Sequence, residues 1–294
     1  MYQKIRKEYP YLCEVNNLNQ NTNICEETIY AEELIHPWRL DFMAKLLFLD
    51  GICDAKMQAA GEEIYKKHLI AFSNGTLAEK GQKDKKGFGK YYDTFYSLWN
   101  YCSEEKEQIV EKWPSVPVDR DYLPMDGAHR IACAIKNKKQ IKIYHIDFVA
   151  PEYCRYDFKY WRAQFLDEHY IVEMVKKYCA VRPVRLLEIE DGSQRLCEAI
   201  YGSCVPVYMN LIGSKTIVVL DEKVSDLQRL EVLLSEQDNI VTREHAAVEY
   251  LSLHQGEMEK ESLSQKWRKK AGRCYRFLRS QLWSAKDRLK NCFR

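Results

Sequence analysis

No apolar run in this chain approaches the ~20 residues that a membrane-spanning helix needs, so the sequence predicts no spanning segment. Cys-x-x-Cys pairs are also missing, although eleven cysteines are scattered from Cys13 to Cys292. An odd count without paired spacing argues against a disulfide framework; it reads as reduced, mostly buried thiols of a cytosolic protein. A zinc site assembled from distant cysteines is not expected. The basic start, Met1 to Lys7, runs straight into Glu8-Tyr9-Pro10, and no signal peptide is expected there. Net charge is nearly absent as well, at +2.

What is present fits a folded chain. At 294 residues it is long enough for one large domain or two modest ones. Hydrophobic residues make up 46% and charged residues 30%, a balance of globular rather than disordered type. The small net charge hides a division. Lys266 to Arg294 holds eleven Lys or Arg and one acid, a balance of +10, which leaves −8 on residues 1 to 265. Such a split marks a tail with its own partner.

Periodicity gives the elements. The Asn-rich first twenty-five residues read as a loose lead-in. Helices are predicted over Trp38–Asp50, Lys56–Phe72 and Tyr91–Cys102, and later over Glu168–Cys179, Leu227–Leu234 and His245–Leu253. Strands are predicted at Val116–Val118, Ile141–Phe148, Val184–Ile189, Val205–Met209 and Ile217–Leu220. Alternating strands and helices predict a mixed α/β, or α+β, fold. Three parts are expected: 1–150, a second smaller α/β unit over 151–255, and a basic amphipathic helix over 256–294.

Asp126-Gly127-Ala128-His129-Arg130 carries the chemistry. It follows a predicted strand and opens a predicted helix ending near Lys136. Glycine lets a ligand approach the backbone, and N–H groups at a helix start favour an anion. A carboxylate, an imidazole and a guanidinium beside that turn are the parts of a phosphate site. Asp119, facing the same end of the sheet, reads as a further cofactor-binding residue or as a strand terminator. Plainer roles stand beside the others: Asp126 as a helix cap, Arg130 in a structural ion pair and His129 as an ordinary packed residue. The Lys80–Lys90 loop, with five lysines and three glycines, reads as a solvated loop or as a lid reaching anionic substrate through Glu79, Lys86 and Gly87. A second Asp-Gly step, Asp191-Gly192-Ser193-Gln194-Arg195, echoes the first and reads as a degenerate duplicate or as chance.

Glu33 to Phe148 resembles the ParB/sulfiredoxin superfamily. The likeness rests on Glu33-Leu34-Ile35-His36-Pro37 before a helix, on Pro117-Val118-Asp119-Arg120, and on the box from Asp126 to Arg130, which is similar to the Asp-Gly-His-His-Arg box of free-serine kinases. The chain also resembles bacterial proteins of polysaccharide gene clusters that share the KKGFGKYYDTFYSL type of loop. The resemblance implies a ParB/sulfiredoxin-like core with a helical insertion. It also implies a cytoplasmic phosphotransferase that uses ATP or another nucleotide, with Mg²⁺, on a sugar or small hydroxylated metabolite in surface-polysaccharide synthesis. Gly127 and the N–H groups from Ala128 to Arg130 would hold phosphate. His129 and Arg130 would neutralise charge on the transferred group. Asp126 would bind Mg²⁺ or take the acceptor's proton, with Glu33 as the carboxylate from an N-terminal element. Ala128 stands where serine kinases have histidine, and the sulfiredoxin cysteine is missing from the box, so neither of those activities is expected as such.

Two other functions compete. One is a non-catalytic nucleotide sensor or scaffold of the same machinery. The other is a ParB-like DNA-binding regulator, disfavoured because no basic recognition helix follows the core. The tail from Lys266 places Trp267, Ala271, Cys274, Leu278 and Leu282 on one face with Lys and Arg opposite. That pattern predicts peripheral attachment to an anionic inner-membrane surface ahead of packing on the body, and nucleic acid comes last.

Overall fold

Ile5, Tyr9 and Cys13 recur every fourth residue within the Asn-rich start, and this spacing folds it into helix rather than a loose lead-in. The computed structural model, which describes residues 1–78, 86–190, 194–236 and 241–259, shows α1 (Tyr2–Glu8) and α2 (Pro10–Val15) there. Pro10 sits at the start of α2, where its missing N–H costs nothing. The three apolar residues pack with Leu18, Ile24, Tyr144 and Ile146 into one buried cluster. The expectation of a loose lead-in is therefore corrected.

Contacts divide the chain into two units. The first holds Met1–Gly61 with Asp93–Asp157; the second holds Glu62–Tyr92 with the chain from Phe158 onward. Glu62–Tyr92, assigned from sequence to the first domain, thus groups with the second unit.

In the first unit α2 leads to β1 (Ile24–Tyr30), a 3-10 turn (Ala31–Leu34) and α3 (Asp41–Cys53). The helices α4 (Gln58–Phe72) and α5 (Phe88–Glu104) each run across the division between units, and β2 (Val116–Val118), α6 (Ala128–Lys136) and β3 (Gln140–Ile146) complete the set. At Gly61 an added Cβ would lie 2.5 Å from the Leu47 carbonyl oxygen, so only glycine lets α4 start this close to the α3 backbone. The sheet order is β1-β3-β2, with β3 antiparallel to β1 and parallel to β2. Parallel pairing of β2 and β3 needs a crossover, and α6 supplies it. Packed against α6 are α3 and the 3-10 turn.

A charged group is buried just before the α3 start. Arg39 donates to both carboxylate oxygens of Asp41, at 2.8 and 3.0 Å, and to the carbonyl of Pro124. Lys45 reaches the same carboxylate at 3.0 Å. The guanidinium also lies over the Phe42 and Tyr156 rings. Arg39 thereby fixes the backbone two residues ahead of Asp126.

The second unit continues with α7 (Phe158–Ala163), α8 (Glu168–Val181), β4 (Val184–Ile189), α9 (Gln194–Cys204), β5 (Tyr208–Ile212) and β6 (Lys215–Asp221). It ends with α10 (Leu227–Ser235), β7 (Thr242–His245), α11 (Ala247–Leu253) and α12 (Gln255–Glu259). Its sheet has the order β5-β6-β4-β7, with every pairing antiparallel. Fully buried Asp221 accepts from Tyr178 Oη at 2.6 Å and Arg182 Nε at 2.8 Å, so its charge is paired.

The architecture is thus mixed α and β. The strands flanking α6 are direct neighbours, whereas β6 lies between β4 and β5, so the echoed motif shares strand-helix-strand order but not pairing. Asp191, Gly192 and Ser193 of that echo lie outside the described residues, as do Glu79, the loop over 80–85 and the basic helix expected from Lys266 to Arg294. Among the described residues no helix is long and apolar enough to cross a membrane.

Candidate functional site

The turn at Asp126 is set up by a clamp upstream. Asp119 ends β2 with its side chain buried, at 1% exposure. One of its oxygens accepts from the Asp121 and Leu123 amides, and the other from the Ala150 amide, each at 2.9 Å. Both oxygens are therefore spent on backbone N–H groups, which fixes the loop and directs Asp119 inward. The chain then returns along β2, where the Met125 amide donates to the Pro117 carbonyl at 3.0 Å.

Gly127 is the residue before α6 and has φ +79°, in the left-handed region that glycine adopts without cost. Its N–H donates to Asp126 Oδ1. Asp126 is exposed. The first intrahelical bond of α6 runs from the Ile131 amide to the Gly127 carbonyl, 2.9 Å. N–H groups before that point face out of the helix end and carry the positive pole of its dipole.

Arg130 holds the turn from inside. Its guanidinium donates to the Pro114 carbonyl and, at 2.8 Å, to the Tyr9 hydroxyl. That hydroxyl in turn donates to the Ser115 carbonyl at 2.9 Å. Burial pushes the Tyr9 phenol up to about 12, against the opposing charge of Arg130, so it stays protonated and can donate. Gly127 completes this packing, because an added Cβ would lie 3.0 Å from Arg130 Nη2 and 3.0 Å from Val116 Cγ2. His129 sits edge-on to Phe95, with ring centroids 4.7 Å apart. Ala128 is half-buried in the first turn.

Glu33 lies on the 3-10 turn that packs against α6 and accepts the Tyr30 amide at 3.1 Å. Lys86 bridges to Ala78, and Gly87, with φ +85°, donates its amide to the Leu77 carbonyl at 2.8 Å. These two residues belong to the second unit. The structure therefore brings Gly127, Ala128, His129 and Arg130 together beside Asp126, and places Glu33 on a neighbouring element. The Asp126 carboxylate is an oxygen donor of the kind Mg²⁺ takes, and by itself it leaves most of the ion's ligands to phosphate and water.

Sequence reasoning missed two contributors. Tyr9 was hidden in the lead-in, although its four-residue spacing from Ile5 and Cys13 was visible. The second is a group on the sheet: Cys25 and Glu27 of β1 lie on one face with His145 of β3, since Cys25 is registered opposite His145. Their ligand atoms all lie within 4.8 Å of one another. Cys25 Sγ donates to Glu27 Oε1 at 3.0 Å, and His145 Nδ1 lies 3.0 Å from the same oxygen. The hydrogen bond to Glu27 raises the Cys25 thiol and lowers the Glu27 carboxyl, so the thiol is not set up as a nucleophile. No sequence spacing joins residues 25 and 145; only strand pairing does. Compared with protein-family models, curated proteins and solved structures, the chain matches none.

Proposed function

We propose that this chain is a nucleotide-dependent phosphotransferase whose phosphate site is the start of α6. Its acceptor would be a sugar or other small hydroxylated metabolite of surface-polysaccharide synthesis. The observation that carries the reading is Gly127, left-handed and closely packed, which opens a helix start beside an exposed carboxylate. The resemblance of Glu33 to Phe148 to the ParB/sulfiredoxin superfamily supports it, and the likeness to bacterial proteins of polysaccharide gene clusters supplies the setting.

In this reading the donor phosphates approach over Gly127 and rest on the N–H groups from Ala128 to Arg130, where the helix dipole favours negative charge. Asp126 would hold Mg²⁺, which supplies charge neutralisation on the phosphate oxygens when bound. The acceptor hydroxyl oxygen forms the new bond to phosphorus as the bond to the nucleoside diphosphate breaks. The hydroxyl proton passes to a carboxylate, with Glu33 the candidate on the neighbouring 3-10 turn. His129 faces the developing charge, and Phe95 limits how its ring can turn. Arg130 contributes fixed positive charge and holds the loop, since its guanidinium is engaged by Pro114 and Tyr9.

That engagement of Arg130 favours a second reading, a sensor that binds nucleotide without turning it over. The test is incubation with ATP or CTP, Mg²⁺ and a panel of sugars, following nucleoside diphosphate release and nucleotide binding separately. Turnover lost in Asp126→Asn and His129→Ala supports the kinase; binding by the wild-type chain without turnover supports the sensor.

A further inference from the structure

We propose that Cys25, Glu27 and His145 form a binding site for one borderline divalent metal ion of the zinc class, with a fourth position open to solvent. This goes beyond the phosphate site, which it neither contains nor requires.

The donor set comes first. One thiol, one carboxylate and one imidazole are the ligand types that zinc and its chemical neighbours take, whereas Mg²⁺ and Ca²⁺ take oxygen. The spacing comes next. Tetrahedral ligands about 2.0–2.3 Å from a metal lie roughly 3.3–3.6 Å from one another. Here Sγ and Nδ1 are each 3.0 Å from Glu27 Oε1, and all three donors lie within 4.8 Å of one another, so adjustments of roughly an ångström seat the ion. Exposed Cys25 and half-buried Glu27 and His145 leave one side of the group to solvent.

The surrounding shell carries the inference further. His145 Nε2 lies 3.2 Å from the Arg120 carbonyl, which only accepts, so the ring places a proton on Nε2 and turns Nδ1 toward Glu27. Nδ1 then meets a second acceptor, the Glu27 carboxylate. Between two acceptors a neutral imidazole satisfies only one; a metal cation at Nδ1 satisfies both. A ring N–H held by a backbone carbonyl is also how metal-binding histidines are oriented. Tyr122 adds two further supports. It donates to Glu27 Oε2 at 3.1 Å, and its ring stacks on His145 with centroids 4.4 Å apart. It does so from a left-handed backbone, φ +61°, unusual for a tyrosine. The Arg120 charge nearby is already paired with Asp147.

Metal binding displaces the Cys25 thiol proton and any proton on Nδ1 to solvent, so affinity falls as pH falls. The experiment uses the full chain, stripped with a chelator and titrated with Zn²⁺ against a chromophoric competitor, and with Co²⁺ followed by its thiolate charge-transfer absorption. One tight equivalent is expected. Cys25→Ser and His145→Ala should each weaken it by at least about tenfold and remove the thiolate band, and Tyr122→Phe should weaken it about tenfold. Cys53→Ser, at another exposed cysteine, should change neither readout, and far-UV circular dichroism should show every variant folded. Absence of a tight equivalent in the wild type, or unchanged affinity in Cys25→Ser or His145→Ala, overturns the proposal.

Discussion

Gly127 has two constraints at one position: a left-handed backbone at φ +79° and space for an added Cβ only 3.0 Å from Arg130 and Val116. A non-glycine residue in that backbone region costs about 1–2 kcal/mol, and the contacts to Arg130 and Val116 add to it. Gly127→Ala should destabilise the fold by about 1–3 kcal/mol, read as a lower urea midpoint at unchanged slope. An unchanged midpoint would mean the turn relaxes freely. Tyr9→Phe probes the other side of the same packing. It removes the acceptor of Arg130 and the donor to Ser115 while keeping the ring. The expected loss is about 1 kcal/mol of stability, with nucleotide binding weakened as the α6 start loosens. Loss of stability without any change in binding would separate Arg130 from the ligand altogether.

At the scale of elements, most of the fold was legible because apolar residues are periodic. The strand at Val184–Ile189 is found where it was predicted, and the helices at Lys56–Phe72 and Leu227–Leu234 shift by only a residue or two at their ends. Among the elements that were hidden, α2 and β1 were so for different physical reasons. Leu12 and Cys13 in α2 sit just ahead of an asparagine run that reads as loop, so packing on Tyr144 and Ile146, not local composition, forms the N-terminal helices. The strand β1 lies at a sheet edge with only Ile24 buried and carries Glu26 and Glu27, so it shows no apolar alternation. The helix start at Asp126 was legible because Asp-Gly is strong local punctuation; its dependence on Tyr9 and Arg39 was not, since both are distant in sequence. In the second sheet Glu188 of β4 accepts from Lys215 Nζ at 2.8 Å and Tyr250 Oη at 2.6 Å, and these bonds lower its carboxyl below the ordinary value of 4.5. A carboxyl lowered on folding adds stability above its unfolded value, and that stability is lost as pH falls through the folded value. Unfolding of the wild type should therefore become easier as pH drops below about 4.5, and Glu188→Gln should flatten that dependence relative to neutral pH. An equal pH slope in both proteins would assign the acid response to other groups.

For the whole molecule, charge is divided along the sequence more sharply than the net value suggests. A balance of +10 on residues 266–294 against −8 on the remainder fits a tail drawn to an anionic surface, at roughly 1 kcal/mol per basic residue near a lipid headgroup layer. Deleting residues 266–294 should abolish sedimentation with vesicles containing phosphatidylserine and leave nucleotide turnover unchanged. Vesicle binding that persists after deletion would place membrane attachment elsewhere. The division into two units gives the proposed phosphate site and the sheet-edge cysteine group to the first unit, while the second carries its own paired buried charges at Asp221 and Glu188. Most direct for the central claim is nucleotide turnover by the full-length chain with Mg²⁺ and a sugar acceptor, compared with Asp126→Asn and His129→Ala. Expected is turnover in the wild type that drops at least about a hundredfold in both variants, each still folded. Turnover equal in all three proteins would contradict a phosphate-transfer site at the start of α6.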